Sequence, residues 1–231
     1  MLYLLPNLLE EELPLEPYLP SGVADAVRSL QGIIAESEKG ARRYLRRFLD
    51  HDAMAKMPIR LLNEHTPASE LEALLEPLLR KEIWGLVSDA GLPCIADPGA
   101  PLVFRAQAKG VPVIAFPGPS SILISLQLSG LNGQRFAFHG YLPRELPELK
   151  SALLSLEKRS FEATQIWIEA PYRSAKLAQF ILETLQPKTL FCIASSLTTA
   201  RQSVKTQKIQ EWRKHPPHLE KEPAVFLISS E

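Results

Sequence analysis

The residues best suited to chemistry lie in two short loops that are rich in glycine and proline. The first, residues 88–99, follows an apolar run ending at Val87 and holds two aspartates, two glycines and two prolines. The second, residues 117–121, follows the apolar run 111–116. Glycine lets backbone approach a ligand closely, and proline stiffens a loop in advance. Because open α/β sheets bind ligands at the carboxyl ends of their strands, these loops predict one ligand held between them.

Four polar side chains in these loops have two possible roles each. Asp89 and Asp97 bracket the first loop, where an aspartate can accept hydrogen bonds from its own loop amides, a purely structural role. Asp89 is equally explained as a ligand contact. Ser120 and Ser121 open a predicted helix and can cap it while contacting a ligand. The free amides and the dipole at such a helix start also favour a carboxylate.

Charge and composition narrow the classes of partner. The chain has 231 residues, 45% of them apolar, with 26 basic and 26 acidic side chains. The resulting zero net charge counts against tight, autonomous RNA binding. One basic stripe stands at helical spacing, formed by Arg42, Arg43, Arg46 and Arg47. This basic stripe is either the RNA-facing surface or a solvated helix face.

Several classes of site are not indicated. Cys94 and Cys192 are the only cysteines, and they are interpreted as small apolar fillers with no metal-ligand spacing. No apolar run approaches the ~18 to 20 residues of a membrane span. The start of the chain, residues 1–5, is interpreted as a first strand rather than a secretion signal. We therefore expect a cytoplasmic protein without metal or membrane contact.

The elements that must position these residues alternate between strand-like and helix-like segments, which predicts an α/β fold built from parallel βαβ units. The predicted strands are residues 2–5, 32–36, 59–63, 83–88, 111–116, 136–141, 165–169, 190–195 and 224–229. The predicted helices are residues 22–30, 39–49, 67–81, 100–109, 151–158 and 174–185. Thr66 is the expected N-cap of the third helix, and Pro77 should kink that helix or mark its last turn. Residues 198–222 are expected to form an antiparallel edge ribbon or a mobile flap.

Five motifs in register carry a resemblance to a known family. They are Val87-Ser88-Asp89-Ala90-Gly91-Leu92-Pro93, Asp97-Pro98-Gly99, Pro117-Gly118-Pro119-Ser120, Gly140-Tyr141-Leu142-Pro143 and Glu169-Ala170-Pro171-Tyr172-Arg173. Together they resemble the tetrapyrrole-methylase-like class of S-adenosylmethionine-dependent methyltransferases. Within that class, the chain is similar to the branch that methylates a ribose 2′-hydroxyl in bacterial small-subunit ribosomal RNA.

This resemblance implies an architecture and a set of cofactor contacts. It implies two α/β domains, residues 1–117 and 118–231, with S-adenosylmethionine in the cleft between them, and a homodimer. The residues that would contact the cofactor are Asp89, Ala90, Gly91, Leu92, Pro93, Ile95, Ser120, Ser121, Ala170, Pro171, Ala194 and Ala224. The last four would line the adenine pocket from strand ends of the second domain.

The chain also departs from the pattern of that branch. A glycine-containing Thr-Pro-Ile-Gly-Asn-Leu loop after the first strand is shortened here to Leu5-Pro6-Asn7-Leu8. A charged Ala-Arg-Glu-Leu-Thr-Lys element becomes residues 194–199, which carry no charge. We also expect no counterpart of the extra C-terminal helical module of that branch. The resemblance therefore covers the cofactor part of the pattern better than the substrate part.

Methyl transfer to a poorly nucleophilic hydroxyl gains from a proton acceptor. The candidates for catalytic roles are Glu36 and Glu64, which follow predicted strands, and Arg173, which can bind a phosphate or another anion. Each also has a structural interpretation. The two glutamates can be solvated loop carboxylates, and Arg173 can pair with Glu169 to brace its loop.

Two other functions stay open at this point. The first is methyl transfer to a small, tetrapyrrole-like acceptor, which the zero net charge favours. The second is a non-catalytic binding or assembly protein, which the lost charges in residues 194–199 favour. A dinucleotide-dependent oxidoreductase is disfavoured, because residues 6–20, after the first predicted strand, contain no glycine to form the phosphate-binding turn.

Overall fold

The computed structural model describes residues 1–230, which form two compact units. Unit 1 is Met1–Ser120, and unit 2 begins at Ser121. The division falls inside the second glycine-proline loop, whereas the sequence placed the domain boundary between residues 117 and 118. Each unit carries its own five-stranded sheet.

Unit 1 is a fully parallel α/β sheet with strand order β3-β2-β4-β1-β5. Its strands are β1 (Leu2–Leu5), β2 (Gly32–Ala35), β3 (Ile59–Leu61), β4 (Trp84–Val87) and β5 (Val113–Ala115). Its helices are α1 (Gly22–Arg28), α2 (Glu38–Leu45), α3 (His51–Lys56), α4 (Leu71–Leu79) and α5 (Ala100–Ala108). Since all five strands run the same way, the loops that follow them meet at one edge of the sheet.

The central strands of unit 1 are apolar because helices cover both faces of the sheet. Along β2, successive side chains alternate between two cores, with Ile34 packed on one face and Ile33 on the other. Every residue of β2 and β4 is buried. Continuous apolar runs of this kind predicted the strands correctly, although the observed strands are shorter by one or two residues at several ends.

Unit 2 has a mixed sheet with strand order β6-β7-β10-β8-β9. Its strands are β6 (Phe136–Tyr141), β7 (Thr164–Glu169), β8 (Leu190–Ser195), β9 (Ser203–Lys208) and β10 (Ala224–Ser229). Its helices are α6 (Ser121–Ser129), α7 (Leu146–Arg159), α8 (Ser174–Thr184) and α9 (Ile209–Lys214). Only β6 and β7 pair in parallel, and the other three pairings are antiparallel. The α/β class is confirmed, but the expectation of parallel units holds fully only in unit 1.

The core of unit 2 is organised by three stacked aromatic side chains on adjacent strands. Trp167 and Phe226 have ring centroids 6.1 Å apart, and Phe226 and Phe191 have centroids 5.8 Å apart. The strand register places Ala224 opposite both Glu169 and Ser195. The ends of β7 and β8 and the start of β10 therefore share one edge of this sheet.

Two predicted helix boundaries in unit 1 are wrong. Thr66 does not cap a helix, because its hydroxyl accepts a hydrogen bond from the Asn63 amide at 2.9 Å and α4 begins only at Leu71. The helix predicted over residues 39–49 ends at Leu45, and α3 starts separately with Asp50 as its N-cap. Pro77 lies in the last turn of α4, as predicted.

The polar segment 198–222 contains the predicted edge ribbon and one helix that was not predicted. Strand β9 pairs antiparallel with β8 at the sheet edge. Helix α9 follows directly and buries Trp212, whose indole N–H donates to the Phe191 carbonyl at 2.9 Å. Helix α9 was not predicted because the segment is polar and the helix has only six residues, too few to show a clear apolar period.

Candidate functional site

The loop after β4 holds an unusual concentration of left-handed backbone. Gly91 has φ of 71° and Gly99 has φ of 132°, and between them two residues with side chains, Cys94 and Ala96, have φ of 70° and 65°. Such conformations cost free energy and persist only where the surroundings impose them, often at ligand-binding sites. The sequence predicted a shaped loop here from its glycines and prolines, but not the strain at Cys94 and Ala96.

The loops after β1, β4 and β5 pack directly on one another. A Cβ atom placed on Gly118 would lie 2.1 Å from Cβ of Pro6 and 3.5 Å from the Leu92 side chain. A Cβ on Gly91 would lie 3.6 Å from the Pro119 carbonyl oxygen. Within unit 1, the two loops that the sequence predicted to share a ligand are therefore neighbours at the same sheet edge.

Asn7 ties the loop after β1 to the loop after β4. Its side-chain amide donates to the carbonyls of Ser88 and Asp89, both at 2.9 Å, and its backbone N–H donates to the Gly91 carbonyl at 2.7 Å. The side chain is almost fully buried, with 5% exposure. No functional role was predicted for Asn7 from the sequence. An amide residue directly after Pro6 at a strand end was the only signal for it.

Carboxylates gather along the same edge. One oxygen of Glu36 accepts a hydrogen bond from the Asp89 amide at 3.0 Å. Burial, followed by the charge of Glu36, raises the pKa of Asp97 to about 6, against a hydrogen bond from Ser88 that lowers it. Burial is also the main cause that raises the pKa of Glu36. The hydrogen bond from the Asp89 amide lowers this pKa, and the charges of Asp89 and Glu64 raise it. The carboxylates of Glu36, Asp89 and Asp97 therefore influence one another at this edge of unit 1.

The candidate base Glu64 differs from Glu36 in its surroundings. Its side chain is 83% exposed and lies 3.5 Å from the His65 imidazole. The preceding residue, Asn63, donates to the Glu36 carbonyl at 3.5 Å. Glu36 thus supports the loop from a half-buried position, while Glu64 stands free in solvent at the same edge.

Three of the four arginines of the basic stripe are engaged within unit 1. Arg42 pairs with Glu38 at 2.7 Å, and Arg43 pairs with the Glu11 carboxylate at 3.0 Å. Arg47 donates to Asn7 Oδ1 at 2.7 Å and to the Glu11 carbonyl at 3.0 Å. Arg46 is exposed. These contacts favour the structural interpretation of the stripe over an RNA-facing surface.

In unit 2, Arg173 makes the contact that its structural interpretation requires. Its Nη2 lies 3.3 Å from Oε2 of the buried Glu169, and the other oxygen of Glu169 accepts from the Ala170 amide at 2.8 Å. The same Nη2 also lies 3.4 Å from the Pro143 carbonyl oxygen. Arg173 therefore joins the loops after β6 and β7.

The other unit 2 residues expected to bind cofactor lie around the same sheet edge. Ala170 and Pro171 follow β7 and are partly exposed. Ala194 and Ala224 are both buried, but Ala194 pairs with Val225 while Ala224 pairs with Ser195. Their side chains therefore point to opposite faces of the sheet. Ser120 ends unit 1 in a buried position, and Ser121 begins α6.

The cysteines are unreactive fillers. Cys94 is half-buried and Cys192 buried, and both are free thiols. Burial is the main cause that raises the pKa of each to about 11, so neither forms a thiolate near neutral pH. Within residues 1–230, no group of three or more His, Cys, Asp or Glu side chains is arranged to hold a metal ion. In the same part of the chain, no helix has the length and apolar character that crossing a membrane requires.

Two α/β units with shaped loops at their strand ends are typical of ligand-binding proteins, and comparison with known proteins gives the family. A family model for tetrapyrrole (corrin/porphyrin) methylases matches residues 17–212, most of the chain, so the chain belongs to that family. Among curated proteins, it is 32% identical over 170 residues to ribosomal RNA small subunit methyltransferase I of Vibrio cholerae. That match covers 72% of this chain and 58% of the relative.

Solved structures of the same fold cover nearly the whole chain. The methyltransferase CobJ matches with a TM-score of 0.64 and 15% identity, over 99% of this chain and 93% of its own. A uroporphyrin-III C-methyl transferase from Thermus thermophilus, complexed with S-adenyl homocysteine, matches with a TM-score of 0.56 and 16% identity, over 99% of this chain and 96% of its own. At these identities the likeness establishes the fold.

Proposed function

We propose that this protein is an S-adenosylmethionine-dependent methyltransferase whose acceptor is a ribose 2′-hydroxyl of ribosomal RNA. The observation that carries the proposal is the strained, acidic loop after β4, at the sheet edge where parallel α/β proteins bind ligands. Membership of the methylase family and a 32% identical ribosomal RNA methyltransferase support it. The chain spans about 58% of that relative's length, so the acceptor rests on similarity over part of it.

The residues at this edge suit the chemistry of S-adenosylmethionine. The cofactor carries a sulfonium and an ammonium, and Glu36, Asp89 and Asp97 provide negative charge for both. Backbone groups of residues 89–95 can bind the polar atoms of the cofactor. Ala90 and Ile95 are exposed, so a ligand can contact them. In unit 2, we propose Ala170, Pro171, Ala194, Ala224 and Ser121 as further contacts, with the two buried alanines contributing backbone atoms.

When bound, the cofactor supplies an electrophilic methyl carbon, so the protein must orient the acceptor and accept one proton. We propose Glu64 as the proton acceptor on the substrate side, because it is exposed and free to meet an incoming hydroxyl. Glu36 holds the Asp89 amide and so supports the loop that would bind the cofactor. Arg173 holds the loops after β6 and β7 for the acceptor rather than binding a phosphate directly.

A small-molecule acceptor is the second candidate function. It is favoured by a specific observation, the pairing of Arg42, Arg43 and Arg47 with acceptors inside unit 1. Phosphate contacts need clustered cations, and these three are already engaged. With zero net charge over the whole chain, RNA recognition would then depend on local contacts.

Transfer of a labelled methyl group tests the proposal and separates the two acceptors. Small ribosomal subunits and their naked RNA, both from a strain lacking the protein, are incubated with methyl-labelled S-adenosylmethionine and the purified chain. We expect label in RNA at a 2′-oxygen, lost in Glu64→Gln and retained in the matched control Glu162→Gln. Label in uroporphyrinogen but not in RNA would support the second candidate. Binding of S-adenosylhomocysteine without any transfer would indicate a non-catalytic protein.

We further propose that the protein is cytoplasmic and that it forms a homodimer, the latter as its resemblance implies. In support, Phe104 on α5 is 72% exposed, more than any other large apolar side chain of the described residues. Aromatic side chains are enriched in the buried cores of protein–protein interfaces. Light scattering should give twice the 25.8 kDa chain mass, and Phe104→Asp should shift it toward the monomer while Phe161→Asp does not. Wild-type protein at monomer mass would contradict the dimer.

A further inference from the structure

The most densely connected side chain near the candidate site belongs to Asn7, which the proposed chemistry does not use. Both N–H groups of its amide are occupied by the Ser88 and Asp89 carbonyls. Its Oδ1 accepts from the Leu8 amide at 2.9 Å and from Arg47 Nη1 at 2.7 Å. Every polar group of the side chain is therefore satisfied in a position that is nearly free of solvent.

Arg47 fixes which way the amide of Asn7 points. A guanidinium can only donate, so the oxygen of Asn7 must face Arg47 and its nitrogen must face the two loop carbonyls. Arg47 is itself anchored by the Glu11 carbonyl at 3.0 Å, and the Glu11 carboxylate pairs with Arg43. Arg47 of the basic stripe thus holds Asn7 directly, and Arg43 contributes through Glu11, which contacts both arginines.

These contacts fix the orientation of the carbonyl groups in the loop after β4. Asn7 takes the carbonyls of Ser88 and Asp89 through its side chain and the carbonyl of Gly91 through its backbone N–H. Glu36 holds the Asp89 amide from the other side. With three carbonyls turned toward Asn7, the peptide planes that lead into the strained segment have one orientation. The loop is then already ordered before a ligand binds, so that binding loses less conformational entropy.

We infer that Asn7, oriented by Arg47, is a positioning residue that pre-organises the loop after β4 for the cofactor. This inference rests on the proposed function, because it assumes that the loop binds S-adenosylmethionine. It also gives the shortened Leu5-Pro6-Asn7-Leu8 segment a role. In this chain, that segment holds the loop after β4 through one buried amide.

Asn7→Asp is the sharpest test, because aspartate keeps the shape and the acceptor oxygen for Leu8 and Arg47. Its second oxygen, however, would face two carbonyls instead of donating to them, which removes both bonds. Calorimetry with S-adenosylhomocysteine should show at least a tenfold loss of affinity, and amides of residues 89–95 should exchange hydrogen faster. The matched control is Asn132→Asp, since Asn132 accepts from the Gln134 amide at 2.8 Å through an oxygen that aspartate retains.

The outcomes separate this inference from the proposed function. If wild-type protein does not bind S-adenosylhomocysteine, the proposed function fails. If wild type binds and folded Asn7→Asp binds within twofold of it, only the positioning role is overturned. If Asn7→Asp does not fold, Arg47→Gln decides, because it frees the amide to rotate without removing its donors. We expect a three- to tenfold affinity loss in Arg47→Gln, and unchanged affinity would overturn the inference.

Discussion

At the scale of single residues, Asp97 is the carboxylate whose ionisation the fold opposes most clearly. Its pKa is raised from 3.8 to about 6, mainly by burial and by the nearby Glu36. In the folded state it therefore keeps its proton to a higher pH than in the unfolded chain. Its ionisation makes the folded state less stable as the pH rises from about 4 to about 6.

We predict that Asp97→Asn removes this pH dependence. The unfolding free energy of the variant minus that of wild type should be flat below pH 4 and rise between pH 4 and 6. The total rise should be about 1 to 2 kcal/mol after allowance for solvent screening. Urea denaturation at several pH values measures it, with the exposed Asp25→Asn as control. A difference that stays level across this range would contradict the raised pKa.

Gly118 gives a second prediction, on packing. Because a Cβ atom there would lie 2.1 Å from Cβ of Pro6, backbone must shift in Gly118→Ala. We expect a loss of about 1 to 3 kcal/mol in unfolding free energy, together with weaker cofactor binding. Gly133→Ala is the control, since its Cβ would meet nothing within 4 Å. Equal stability of the two variants in thermal denaturation would show that the loops after β1 and β5 are not in contact.

The sequence identified some of these residues and not others, for a physical reason. The loop after β4 could be predicted from its own residues, because glycines, prolines and aspartates determine the backbone conformation over a few residues. The roles of Asn7 and Arg47 arise from hydrogen bonds to residues far away in sequence. The same limit left the basic stripe with two interpretations, an RNA-facing surface or a solvated helix face, since the Glu11 partner of Arg43 lies on a different segment.

At the scale of elements, the buried strands were the most predictable, because a strand covered on both faces must be apolar throughout. The ends of the helices were less predictable than the strands. Thr66-Pro67 has the composition of a helix start, yet the Thr66 hydroxyl is bound to Asn63 and α4 begins at Leu71. Apart from the antiparallel edge strand β9, the direction of the unit 2 strands was not predictable, because strands separated by helices look alike in sequence whichever way they pair.

Helix α7 offers a prediction at this scale. Its buried Glu157 accepts from the Gln186 amide at 2.7 Å and from the Thr189 hydroxyl at 2.6 Å, which joins α7 to the segment before β8. Glu157→Ala leaves both donors without a partner and should cost about 2 to 3 kcal/mol. Glu157→Gln keeps an acceptor oxygen and should cost much less. Similar losses in both variants, measured by chemical denaturation, would show that the charge rather than the acceptor matters.

At the scale of the whole molecule, the chain combines a parallel unit with a mixed one, in the fold of the tetrapyrrole methylases. The alternation of strands and helices predicted the class, and five short motifs predicted the family. The acceptor is harder to infer, because it depends on surface charges that this chain has lost or paired internally. The cofactor side of the account is therefore the more direct one to test.

Hydrogen–deuterium exchange with and without S-adenosylhomocysteine tests the central claim, that the loop after β4 binds the cofactor. The account predicts that saturating ligand slows exchange in residues 88–99 and 117–121 by at least tenfold, while α3, at residues 51–56, is unaffected. Slowing confined to other segments, or no change at ligand concentrations that saturate calorimetric binding, would contradict it.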